Sequence, residues 1–250
     1  MSIRFANRRF APSLVGTLLV IAGLALFVSL GRWQLGRAEY KQALQDAYER
    51  GQQTTFTLTR DNAETMARYQ RVRARGRYVD ERQILLDNMP STLGRPGYRV
   101  LTPFQLEDGA WILVDRGWIP LGDRRTDLPQ LRVAGNVRDV TGQLDELPRP
   151  GLRLGDDDAQ ATTTWPRVLN FPETETIERA LGVSIGRYIL RLDEAEPDGF
   201  EREWHPLARF GPERHIGYAV QWFTFAFVAI VLYLTLSLRR ETNAGAPHEK

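Results

Sequence analysis

Three histidines, three methionines and no cysteine set the chemistry available to this 250-residue chain. Without a thiol there is no disulfide, no thiolate metal site, no Cys-x-x-Cys redox pair and no covalent haem attachment. His205, His215 and His248 are too few for a multi-histidine zinc or copper cage. Copper delivery needs soft sulfur ligands, and beyond the initiator only Met66 and Met89 remain. The Asp156–Asp158 run lacks the alternating ligands and closing glutamate of a calcium loop and reads as an exposed turn. A hydrolase would have to pair Ser91 or Ser184 with His205, and neither serine sits in a nucleophile elbow. The expectation is a protein that is not an enzyme.

Two constellations remain. Arg71, Arg73, Arg75 and Arg77 share one face of a strand by period 2. They form either an anion- or acidic-partner surface or a solvated sheet face, and the solvated face is the preferred reading. His215 follows Arg214 directly and opens a long apolar stretch. On a helix, His215, Tyr218 or Ala219, and Trp222 fall on one face. A flat macrocycle could lean on that stripe with its metal on the imidazole, and Arg209 and Arg214 could pair with carboxylates at its edge. The plainer alternative is an interfacial histidine that only caps or hydrogen-bonds.

The elements that position these residues begin with two apolar stretches. Phe10–Gly31 and Ile216–Leu238 contain no charge, and each exceeds the roughly 20 residues that cross a bilayer core. Both read as membrane spans, the first as an uncleaved anchor. Arg4, Arg8 and Arg9 precede the first, and Arg239 and Arg240 follow the second, so the positive-inside rule places both termini in the cytoplasm. The resulting organisation is a cytoplasmic N-terminus (1–13), a first transmembrane helix (14–31), a periplasmic domain (32–214), a second transmembrane helix (215–238) and a cytoplasmic tail (239–250). A bacterial inner membrane is the expected location. Lys+Arg 33 against Asp+Glu 31 leaves no basic surplus for nucleic acid.

Between the spans, residues 33–50 read as a helix stopped at Gly51. Strand signals follow at 54–58, 71–79, 98–106, 111–119, 137–144 and 185–192, with Asp108 and Gly109 marking a hairpin. A short helix runs from Pro172 and Thr174 to Leu181, ended by Gly182. The fold class is therefore an α+β membrane protein: two transmembrane helices flank one mainly antiparallel β domain, a sheet or partly closed barrel, with one or two helices.

Four segments, in order, resemble the Surfeit locus protein 1 family of cytochrome c oxidase assembly factors. These are Trp33, Gln34, Arg37 and Lys41 after the first span; the segment RVRARGRYVDERQILLDN; Pro96–Tyr98 with Arg116–Trp118; and His215, Tyr218, Ala219, Gln221 and Trp222 at the start of the second span. The resemblance implies an assembly factor that binds haem a through a histidine at the start of the second span, here His215, and aids its insertion into oxidase subunit I. Tyr218 and Trp222 would pack on the ring, and Arg214 would contact a propionate. Haem a synthase, subunit I and membrane lipid are the implied partners. The alternative is a cofactor-free scaffold for immature subunit I. Trp33 and Gln34 would lie at the depth of His215 if the spans pair, shaping a pocket or belonging to the interfacial belt.

Overall fold

The computed structural model describes residues 4–5, 8–87, 89–91, 93–122, 131–148, 164–170, 172–202, 204 and 211–240. The Asp156–Asp158 run, His205, Arg209 and His248 lie outside them. Along the chain come β1 (Arg4–Phe5), β2 (Arg8–Phe10), α1 (Leu14–Gln52), β3 (Thr55–Thr57), β4 (Arg71–Tyr78), a 3-10 turn (Asp80–Arg82), β5 (Ile84–Leu86), β6 (Gly97–Leu106), β7 (Trp111–Pro120), β8 (Arg138–Asp145), β9 (Arg167–Leu169), α2 (Thr174–Leu181), β10 (Ile189–Leu192), α3 (Pro212–Ser237) and β11 (Leu238–Arg240). They form two units, residues 45–206 and the combined ends 1–44 and 207–250.

The first unit is a five-stranded barrel. Its strands run β4–β8–β10–β7–β6, and β6 returns to β4. Four of these ladders are antiparallel, and β10–β7 is parallel. Closure occurs at Gly76, which faces Arg138 of β8 and Leu106 of β6 in register. A Cβ there would collide with the Gln105 carbonyl, and one at Gly142 with the Arg191 carbonyl. Tight closure thus needs glycine at both positions. β3 lies parallel to β4, while β5 pairs with the first half of β6 and carries β9 on its outer edge.

Period-2 alternation on β4 sends Val72, Ala74 and Tyr78 inward, where they meet Phe104, Val114, Val140, Leu144 and Leu190. A second cluster, Ile84, Leu86, Leu101, Leu113 and Leu169, is covered by Ile177 and Leu181 of α2. α2 ends as its sequence suggests, at Gly182 with φ +72°. Other details differ from the sequence reading. α1 is one continuous helix that ends at Gln52, next to the expected stop at Gly51, and a Cβ on Gly51 would strike the Tyr69 carbonyl, so this glycine also permits close packing. Only Ile189–Leu192 of the stretch 185–192 is strand, because the Gly186 and Ile185 amides bond the Trp111 carbonyl and the Glu178 carboxylate.

The outward arginines of β4 are largely paired within the fold. Arg71 bonds Asp193, Arg75 reaches Glu107 and Asp139, and Arg77 bonds Gln105 at 2.9 Å. Inside, Arg116 is almost fully buried and has polar partners on four segments: Gln83, Thr102, the Leu131 carbonyl at 3.0 Å and the Asp198 carbonyl at 2.7 Å. Its guanidinium lies 4.8 Å from the Phe200 ring, and burial lowers its pKa. The backbone of 200–201 then pairs with Arg116 and Trp118, and Gly117, at φ +110°, leaves space for the Glu201 carbonyl. The Arg116–Trp118 segment therefore clasps the chain that leaves the barrel.

Gly76→Ala should lower barrel stability by about 1–3 kcal/mol, the range for overpacking; thermal unfolding followed by circular dichroism measures it. Asp108 supplies a pH test. Its carboxylate accepts the Arg60 amide at 2.6 Å and the Ala110 amide at 3.0 Å. Slight desolvation raises its pKa, but these two bonds outweigh it and hold the carboxyl below its ordinary range. The stabilisation is full above the unfolded-state value of about 3.9 and fades as pH falls through the lower folded value. Asp108→Ala should accordingly show a Tm deficit at pH 7 that shrinks steadily below pH 4.

Candidate functional site

The candidate site belongs to the second unit, a helix hairpin. α1 and α3 are both long and apolar enough to cross a membrane, and few residues of their apolar windows are buried. Leu14, Leu19, Phe227 and Leu236 are among the large apolar side chains exposed around them. A helix at the centre of a water-soluble core would hide such residues; lipid accommodates them.

What the helices do bury lies on narrow seams. On α3 the shielded positions are Pro212, His215, Ala219, Trp222, Ala226, Ala229, Tyr233 and Ser237, in steps of three and four. Phe27, Gly31, Gln34 and Ala38 repeat in the same way on α1. This 3.5-residue spacing is that of a left-handed helix pair. Its antiparallel register is fixed at several levels. The Thr17 and Tyr233 hydroxyls hydrogen-bond at 2.8 Å. Phe27 stacks on Trp222 with centroids 6.0 Å apart and also touches Phe225 at 5.9 Å. Gly31 admits the Phe223 ring, which a Cβ would approach to 2.7 Å. Gln34 meets His215 at the top.

There Nδ1 of His215 lies 2.8 Å from Oε1 of Gln34. An amide oxygen only accepts, so a hydrogen bond between these two atoms requires the tautomer with the proton on Nδ1. Nε2 is then left with its lone pair, the arrangement that metal-ligating histidines use. His215 itself is half-buried.

The other sequence candidates are distributed around this pair. Ala219, rather than Tyr218, occupies the seam between His215 and Trp222. Tyr218 is exposed on its flank, with the Arg214 guanidinium 5.9 Å from its ring. Trp222 lies on the seam, but its ring is engaged by Phe27 and Phe225. Trp33 and Gln34 part company: Gln34 bonds the histidine, and Trp33 is 58% exposed. Sequence puts Gln34 at the depth of His215 if the spans pair; the contact itself joins residues 181 apart and depends on helix register. Among the described residues no group of three or more His, Cys, Asp or Glu side chains could hold a metal ion.

Cysteine chemistry tests the hairpin cleanly, since the chain has no thiol of its own. A Gln34→Cys/His215→Cys double variant should cross-link within one chain using a short bis-maleimide. Adding Gly31→Leu, which drives against Phe223, should slow the reaction several-fold, as read from cross-link yield on denaturing gels.

Comparison with known proteins agrees with this architecture. The SURF1 family profile matches residues 21–227. An uncharacterized SURF1-like protein of Mycobacterium tuberculosis is 26% identical over 245 residues, covering 92% of this chain and 87% of the relative. A SURF1-like protein of Rickettsia conorii is 25% identical over 222 residues, covering 86% and 88%. One from Dictyostelium discoideum is 32% identical over 101 residues, covering 36% and 37%. With two membrane-length helices, a closed barrel between them in the chain and a family match over most of its length, the chain belongs to the SURF1 family, a family of cytochrome oxidase assembly factors.

Proposed function

We propose that this protein is a non-enzymatic assembly factor for a haem–copper cytochrome c oxidase, holding haem a on His215 before its insertion into subunit I. The observation that carries the reading is the Nδ1···Oε1 bond, which puts the lone pair of a half-buried membrane-edge imidazole on Nε2. In this reading His215 alone holds the haem iron, and a single axial bond favours release to an acceptor. Tyr218, exposed beside the histidine, offers an apolar flank; Arg214, stacked on that tyrosine, offers a cation for a propionate. Trp222 would serve chiefly by holding α3 against α1 through Phe27. In this reading the protein sits in a bacterial inner membrane with the barrel in the periplasm, and haem a synthase and subunit I are its partners.

A second reading has its own support. Because the Trp222 ring is committed to Phe27 and Phe225, the hairpin is internally complete, as a cofactor-free scaffold for immature subunit I would require. A visible spectrum decides between them. The protein is produced with and without haem a synthase, purified in detergent and compared with His215→Ala. A Soret band that requires the synthase and falls at least tenfold in the variant is the expected outcome. No absorbance in either preparation, with oxidase assembly still dependent on the protein, establishes the scaffold instead.

A further inference from the structure

Gln34 stands to His215 as more than a neighbour. An imidazole with nothing on Nδ1 exchanges between two neutral tautomers, and in one of them Nε2 carries the proton and cannot bind a metal. The Gln34 oxygen, 2.8 Å from Nδ1, selects the tautomer with the proton on Nδ1. It is also held in place. Three residues earlier on α1, Gly31 receives the Phe223 ring, and one helical turn further back Phe27 stacks on Trp222. The donor and the acceptor thus come from different helices whose register is set independently of the bond.

We propose that Gln34 is the positioning residue for His215: its side-chain oxygen accepts the Nδ1 proton, keeps Nε2 unprotonated and oriented, and raises the basicity of the imidazole toward the iron of the haem cargo. This inference rests on the haem-carrier reading. Partners of this kind typically account for about 10–100-fold in metal affinity.

The test uses the full-length protein in nanodiscs, with hemin as the probe. First, without hemin, the protein is labelled with 15N-histidine; with three histidines in the chain, His215 is assigned by its loss in His215→Ala. Wild type should show the Nδ1–H form, Gln34→Leu a mixture, and Gln34→Glu the Nδ1–H form again, because a carboxylate can only accept. Second, hemin titration should show Gln34→Leu binding about 10–100-fold more weakly while keeping a histidine-ligated spectrum. Gln34→Glu should restore affinity and raise the Fe–His stretching frequency in the reduced resonance Raman spectrum. An Nε2–H tautomer in wild type overturns the inference. So does hemin binding that needs His215 but is the same in wild type and Gln34→Leu, a result that leaves the carrier reading standing. Absence of His215-dependent hemin binding in wild type overturns the carrier reading and this inference with it.

Discussion

Two helices in a bilayer gain nothing by hiding leucine from lipid, which is as apolar as leucine itself. Their pairing must come from close packing and from polar groups that find each other. In this hairpin, Gly31 lets the Phe223 ring approach the α1 backbone, and hydrogen bonds lie toward either end of the seam, Thr17 with Tyr233 and Gln34 with His215. The candidate site depends on that constraint. His215 stands in the first turn of α3, where the helix supplies no side-chain cap. Its orientation comes from across the seam. A one-residue slip of α1 would rotate Gln34 by about 100° away from the histidine.

The barrel meets a comparable demand with different means. Five strands close a very small ring, and closure brings backbone against backbone where Gly76 and Gly142 leave room. Most of the buried side chains are apolar, but buried carboxylates are held in ion pairs whose loss would be costly if any partner were removed. Arg99 pairs with Asp115 at 2.6 Å, and Arg68 and Arg191 both reach Asp145 at 2.6 Å. Trp204 lies over two of these cations, 4.7 Å from Arg99 and 5.5 Å from Arg191, with its indole N–H on the Leu192 carbonyl. Buried arginines here fix where the departing chain runs: Arg116 holds Asp198, and the next residues zip onto β7.

Much of this was legible from residue type and period. Alternation on 71–78, the Asp108–Gly109 hairpin, the glycine after Leu181 and two charge-free stretches are local signals, and each corresponds to an element. What escaped was non-local. β5 and β9 are three-residue strands paired in parallel, and β5 is buried throughout, so neither shows alternation. Gly51 marks the end of the helix to within one residue, but its contact with a carbonyl 18 residues ahead, which leaves no room for a Cβ, has no local signal. The arginine row on β4 reads from its period as a solvated face in preference to an anion surface, but its pairing is not visible there. Its acidic partners, Asp193, Glu107 and Asp139, come from elsewhere in the chain, and only the sheet register brings them near.

The site shows the same division at finer grain. A histidine at the edge of a charge-free helix is visible in any reading of the sequence, and helical spacing suggests an aromatic stripe beneath it. Spacing alone left Tyr218 and Ala219 as equals, since each lies within about 60° of the ideal face at 100° per residue. The 3.5-residue seam decides between them: the small side chain turns toward α1, where bulk would separate the helices, and the tyrosine turns outward. Nδ1 faces the other helix, and that contact orients the ring.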